Sequence, residues 1–181
     1  CEYNIKEIKR LAKVGFELAM KRSKKLCCID KANVLETSRL WRQTVQSLEK
    51  NYPEVSVSYE FVDAVAMRLI HSPSYYDVLI TSNLFGDILT DEASVISGSM
   101  GLMPSASVGV RTSIYEPIHG SFPQAKGKNI ANPLATILSA SMMFERSFNL
   151  LDESKLIRDL VNDSIVNNIV TQDLSASTKS Y

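Results

Sequence analysis

Leu26-Cys27-Cys28-Ile29-Asp30-Lys31-Ala32-Asn33 is the stretch on which the fold turns. Four apolar residues in a row, bounded by charge, are what a strand shows when both faces of its sheet are covered, as in α/β proteins. Neighbouring residues of a strand point to opposite faces. Cys27 and Cys28 therefore read as small core residues rather than a redox pair. The polar run Asp30 to Asn33 falls at the strand's carboxyl end, where ligand sites of open α/β sheets gather.

The flanks agree with that strand. Upstream, Ile5, Ile8, Leu11, Ala12, Gly15, Phe16 and Ala19 step at three and four, so residues 4–23 form an amphipathic helix whose outer face ends in Lys21, Arg22, Lys24 and Lys25. Downstream, Leu40, Trp41, Thr44, Val45 and Leu48 predict a helix over residues 36–51, stopped by Asn51-Tyr52-Pro53. Val55 to Phe61 alternates as a second strand. Val62 to Ile70 is apolar almost all round, which predicts a buried helix ending at His71-Ser72-Pro73. Tyr76 to Thr81 is a third strand. Strands alternating with helices at this spacing predict βαβ units and a sheet that is parallel at least in part.

The third strand leads into Asn83-Leu84-Phe85-Gly86-Asp87-Ile88-Leu89-Thr90-Asp91-Glu92. Leu84, Phe85, Ile88, Leu89, Val95 and Ile96 share one helical face, and Asn83, Asp87, Thr90, Asp91 and Ser94 share the other. Asp87 and Asp91 are one turn apart, and like charges at that spacing cost a helix a few tenths of a kcal/mol, about 0.2–0.5. No Lys or Arg occurs between Leu69 and Val110 to offset them. A hard divalent cation would, since Mg²⁺ takes one or two carboxylates with water or substrate oxygens. By itself the decapeptide reads first as a solvated helix face. Lys31, Asp63 and the Asp87/Asp91 pair each follow a strand, however, and that placement favours a site.

Composition narrows the classes further. The 181 residues carry 20 basic and 20 acidic side chains, a balance that argues against nucleic acid or an anionic membrane surface as the main partner. The apolar runs are too short for a membrane span and no signal-peptide pattern opens the chain, which predicts a cytoplasmic protein. The sequence begins at Cys1 rather than methionine, which raises the expectation of a segment of something longer.

From Gly98 the texture changes. Gly98, Gly101, Pro104 and Gly109 surround the small residues Ser105-Ala106-Ser107, a loop-rich crossing that predicts a domain boundary between residues 97 and 98. Ser113 to Glu116 is a short strand, and the turn-rich stretch from Glu116 to Pro133 is a long loop of the kind that carries function. Asn132 stands where it can cap a helix starting at Pro133. That helix uses Leu134, Ile137, Leu138, Met142 and Phe144, and a last one spans residues 152–170. Thr171 to Tyr181 is polar.

Six motifs then occur in order: Asp30-Lys31-Ala32-Asn33-Val34-Leu35, Val62-Asp63-Ala64, Gly86-Asp87-Ile88-Leu89-Thr90-Asp91, Pro104-Ser105-Ala106-Ser107, Glu116-Pro117-Ile118-His119-Gly120-Ser121 and Asn129-Ile130-Ala131-Asn132-Pro133. Together they resemble the isocitrate and isopropylmalate dehydrogenases, the metal-dependent β-decarboxylating family, and more closely its isopropylmalate branch of leucine biosynthesis. The resemblance implies an α/β fold of mixed sheets with flanking helices. It also implies that an upstream half with substrate arginines, a tyrosine and a specificity helix lies outside this chain. Residues 1–97 would be part of a central dimerisation and metal-binding domain, and 98–181 part of a split nucleotide-binding domain.

For the site, the resemblance implies Lys31 as the proton-transferring group, Asp63, Asp87 and Asp91 as ligands of Mg²⁺ or Mn²⁺, and Asn33 beside the substrate. Lys31, Asn33 and Asp63 would meet a 2-hydroxy dicarboxylate substrate in a homodimer, with Lys31 and Asp63 reaching the other copy's Asp87 and Asp91. NAD would lie along Glu116, His119, Gly120, Ser121, Gln124 and Asn132. Gln124 departs from the family pattern, which often has Asp there to bond the ribose hydroxyls and repel a 2′-phosphate. Tartrate, D-malate and isocitrate enzymes of the same family are the alternatives, and a non-catalytic regulatory subunit is the alternative from another class. The chain alone is expected to be inactive.

Overall fold

Ile8, Ala12, Phe16 and Ala19 are the buried stripe of helix α1 (Ile5–Met20), whose first turn is capped by Asn4, with Oδ1 accepting the Glu7 N–H at 3.1 Å. The structure, a computed structural model, describes residues 2–175. Strand β1 (Lys25–Asp30) follows, then α2 (Glu36–Glu49), β2 (Ser56–Phe61), α3 (Val62–His71), β3 (Val78–Ile80) and α4 (Asn83–Ser97). The sheet order is β2-β1-β3 and both pairings are parallel, so the apolar run at Leu26 occupies the centre.

Helices cover both faces of that sheet, and the two cysteines report it. Cys28 is buried among Ile8, Phe16, Trp41 and Val45 of α1 and α2, while Cys27 is buried among Val65, Leu69 and Leu89 of α3 and α4. Both thiols are free, and burial pushes both pKa values up. Gly15 lets α1 sit close on the sheet, because a Cβ there would lie 2.4 Å from Ile80 Cγ2. Phe16 stacks on Tyr52 at 4.6 Å between centroids.

One expectation needs correction here. Helix α3 is not buried all round: Val65 and Leu69 reach the sheet, but Met67 and Ile70 are 69% and 71% exposed. A three-stranded sheet offers a helix one stripe, and two residues a turn apart fill it. The apolar face of α4 is likewise mostly open, with Leu89 buried while Leu84, Ile88, Val95 and Ile96 are exposed.

The chain clusters into two compact units, Cys1–Ala93 and Ser94–Tyr181. In the second, the stretch expected to be a loop-rich crossing contains strand β4 (Pro104–Val108), antiparallel to β5 (Ser113–Pro117). Its small residues have a reason: α5 (Leu134–Ser147) packs on both strands, and Ser139 Oγ accepts the Ser105 N–H at 3.4 Å. For the same reason α5 buries Leu134, Ala135, Ser139 and Ser141, whereas Ile137 is exposed. Helix α6 (Leu151–Val166) joins α5 through a buried Ser141–Ser154 contact at 2.8 Å. No helix among the described residues is long and apolar enough to cross a membrane. Residues 176–181 of the polar C-terminal stretch lie outside the described residues.

Candidate active site

The carboxyl end of β1 is pinned by a buried ion pair. Asp30 is 1% exposed, and its carboxylate takes Arg42 Nε at 2.7 Å, Arg42 Nη2 at 3.0 Å and the Ala32 N–H at 2.8 Å. Arg42 also lies over the rings of Tyr59 and Phe61, 5.5 and 5.2 Å from their centroids. The Lys31 N–H donates to Ser38 Oγ at 3.1 Å, and the Lys31 carbonyl accepts from Val34 and Leu35 N–H at 2.9 Å each. These bonds anchor the backbone of the turn that carries Lys31 and Asn33 close to a rigid strand end.

From that turn Lys31 Nζ reaches Asp63 Oδ1 at 2.5 Å and lies 5.6 Å from the Phe61 centroid. Asp63 sits in the first turn of α3, directly after β2, where the helix's free N–H groups favour a carboxylate. The Lys31 ammonium, helped by backbone N–H groups, holds its carboxyl below the usual carboxylate range. Lys31 is mostly enclosed, at 25% side-chain exposure, while Asp63 is 67% exposed. Half of the pair is fixed and half is open.

Asp87 and Asp91 lie on α4, past the carboxyl end of β3, and both are exposed on one helix face as their spacing requires. The structure therefore brings Lys31 and Asp63 together and keeps Asp87 and Asp91 together on another element. Among the described residues no three His, Cys, Asp or Glu side chains of this one chain gather as a metal site. Two carboxylates a turn apart still match a hard cation that completes its shell with other oxygens.

In the second unit, Glu116 is exposed on β5 and Gln124 on a short turn at Pro123–Ala125. Gly120 is exposed and has open space where a Cβ would be, and Ser121 beside it is exposed. His119 Nδ1 donates to the Gly120 carbonyl oxygen at 3.0 Å, since a carbonyl can only accept. Its Nε2 is buried and finds no partner among the described residues, leaving a polar atom for a ligand. Asn132 Oδ1 accepts the Leu134 N–H at 3.0 Å, so it caps α5 from one position further out than the expected register. Asn132 Nδ2 donates to Asp173 Oδ2 at 3.0 Å.

Sequence reasoning missed Arg42, Ser38, Phe61 and Asp173. An aspartate at the end of a fully covered strand was the available signal for Arg42, because a buried carboxylate demands a cation. Nothing local points to Asp173, which lies 41 residues from its partner.

These elements define a family. The sequence profile of the isocitrate/isopropylmalate dehydrogenases matches residues 1–181, and the chain belongs to that family. Among its relatives, a 3-isopropylmalate dehydrogenase of Bacteroides fragilis is 58% identical over 172 residues, 95% of this chain and 48% of the relative. One from Clostridium acetobutylicum is 52% identical over 173 residues, again 95% and 48%. The crystal structure of isocitrate dehydrogenase from Methylococcus capsulatus superposes with a TM-score of 0.91 at 34% identity, covering 97% of this chain and 52% of that one. The chain spans about half the length of the curated relatives it matches.

Proposed function

We propose that the protein carrying this chain oxidatively decarboxylates 3-isopropylmalate to 4-methyl-2-oxopentanoate, the leucine-pathway reaction, with NAD as electron acceptor and Mg²⁺ or Mn²⁺. The observation that carries the reading is the Lys31–Asp63 pair, 2.5 Å apart and rigidly presented at the carboxyl ends of β1 and β2. The 3-isopropylmalate dehydrogenases at 52–58% identity support this substrate within the family.

Each residue then has a physical task. Lys31, once its ammonium has given a proton to solvent, takes the proton of the C2 hydroxyl while C2 is oxidised, and Asp63 orients the amine for it. Loss of CO₂ from the resulting β-keto acid leaves its bonding electron pair on the substrate as an enolate, and reprotonation at C3 completes the product. Asp87 and Asp91 would hold the divalent ion, which supplies positive charge opposite the C1 carboxylate and C2 oxygen. Asn33 stands on the same turn as Lys31, within reach of a bound 2-hydroxy acid. In the second unit the orphaned His119 Nε2, the open backbone at Gly120 and Ser121, and Asn132 suit the adenosine half of NAD, with Gln124 toward its ribose and Glu116 toward the nicotinamide.

A homodimer with shared sites fits the same features. Asp63 points an open carboxylate outward, and α3 and α4 expose Met67, Ile70, Leu84 and Ile88, apolar surface that a second copy would cover. The test is NADH formation by the full-length protein with Mg²⁺, offered 3-isopropylmalate, D-malate, tartrate and isocitrate separately. The reading expects turnover on 3-isopropylmalate above the others and none after chelation. A preference for another of these acids would reassign the substrate, and silence on all of them would end the reading.

A further inference from the structure

The amide of Asn132 is held at both ends by partners that can act in only one direction. The Leu134 backbone N–H can only donate, and it donates to Oδ1 at 3.0 Å; the Asp173 carboxylate can only accept, and it accepts from Nδ2 at 3.0 Å. A flipped amide would set N–H against N–H at one end and oxygen against carboxylate at the other. The amide orientation, usually a matter of assignment, is here dictated by chemistry.

Asp173 is itself secured. Ser99 Oγ–H donates to the same Oδ2, and Ser99 Oγ in turn accepts the Gly101 N–H at 3.0 Å. Partial burial works to raise the Asp173 pKa, but the hydrogen bonds it accepts, those from Ser99 and Asn132 among them, outweigh it and keep the group an acceptor well below neutrality. Gly101 is buried against Asn132, and a Cβ there would fall 2.6 Å from Asn132 Cβ, so the side chain has little room to swing.

We infer that Asp173, seated by Ser99, is a positioning residue that fixes the Asn132 amide and thereby makes the nucleotide site select a 6-amino purine over a 6-oxo purine. With one Oδ1 lone pair and one Nδ2 hydrogen left without a partner among the described residues, the locked amide presents an acceptor and a donor in a set order. Adenine matches that order with its N6–H₂ donor and adjacent ring acceptor. Hypoxanthine reverses the pair along the same edge, so it pairs only with a flipped amide. The inference rests on the proposed placement of the adenine beside Asn132.

The test compares NAD with its hypoxanthine analogue, nicotinamide hypoxanthine dinucleotide, in the full-length enzyme. The wild type is expected to favour NAD by about tenfold in kcat/KM, the scale of one hydrogen bond made or lost. Asp173→Asn should shrink that preference to about threefold or less, through KM for NAD rather than kcat. A residue that merely stabilised the fold would raise both KM values together and leave the ratio intact, which would overturn the inference. Ser99→Ala, milder toward folding, should lower the ratio in the same direction by a smaller factor, and an unchanged ratio there and in Asp173→Asn would also overturn it. A wild type that turns over both dinucleotides equally would sink the inference while leaving the functional reading in place. A wild type that turns over neither would remove the reading first.

Discussion

Two aspartates show how differently the units hold their polar groups. Asp30 in the first unit is 1% exposed, takes three N–H bonds and sits at the end of a central strand. Asp173 in the second unit lies at the surface, on a short turn at Gln172–Leu174, and is fixed by side chains from distant parts of that unit. The first arrangement holds one rigid geometry, as the amine proposed to move a proton needs. The second fixes a hydrogen-bonding pattern while leaving a face open to a ligand. The cores follow suit: the first unit buries Phe16, Ile8, Leu26 and Val65, whereas the second buries serines between α5 and α6 and leaves Leu156 and Leu160 exposed at 58% each.

The largest effect that would break this comparison is on catalysis. Lys31→Met should lower kcat of the full-length enzyme by about 10²–10⁴ while circular dichroism stays unchanged, because proton transfer is lost and the strand end is not. If activity survives, the rigid turn does not serve chemistry. Next is stability. Arg42→Met leaves Asp30 as a buried unpaired carboxylate and should cost about 3–5 kcal/mol in urea unfolding. Phe16→Ala should cost a similar 3–5 kcal/mol through the cavity left beside Tyr52. Leu156→Ala, by contrast, should stay within about 0.5 kcal/mol. Equal costs at Phe16 and Leu156 would erase the distinction drawn between the cores.

Much of the first unit was legible in the sequence because its signals are local. A run of four apolar residues, period-four helices and a change at each Pro or Gly fix the order of elements, and parallel pairing follows from their alternation. Lys31, Asp63, Asp87 and Asp91 were visible as polar residues placed after strands. The burial of α3 was misjudged, since apolar content says how much surface needs cover and not how wide the sheet beneath is. Strand β4 was missed because its small residues answer to α5, some thirty residues downstream. Arg42 and Asp173 belong to the same class, partners supplied by packing and not by neighbours in sequence.

Smaller effects sharpen the picture. The Asp63, Asp77, Glu54 and Asp173 carboxyls are all held below their ordinary values, the first three chiefly by hydrogen bonds from Lys31, Ser23 and Lys24 respectively. Groups with a depressed folded pKa add stability that is complete above the unfolded value, near 4, and lost as pH falls through the folded one. Stability to urea should therefore be level in this respect from pH 7 to about 4.5 and decline below about 4; a decline that starts near pH 6 would point to other groups. Cys27 and Cys28, buried with raised pKa values, should resist iodoacetamide at pH 8 until the protein is unfolded.

The account stands on carboxylates of one copy meeting the Lys31–Asp63 pair of another, and mixed dimers measure that directly. Full-length Lys31→Met and Asp91→Asn proteins, each inactive alone, are unfolded together, refolded and assayed. A site shared between copies places both lesions in one half of each hybrid and leaves the other half intact, so activity should return to about a quarter of wild type after random pairing. A site built within one chain would carry a lesion in every copy, and the mixture would stay inactive.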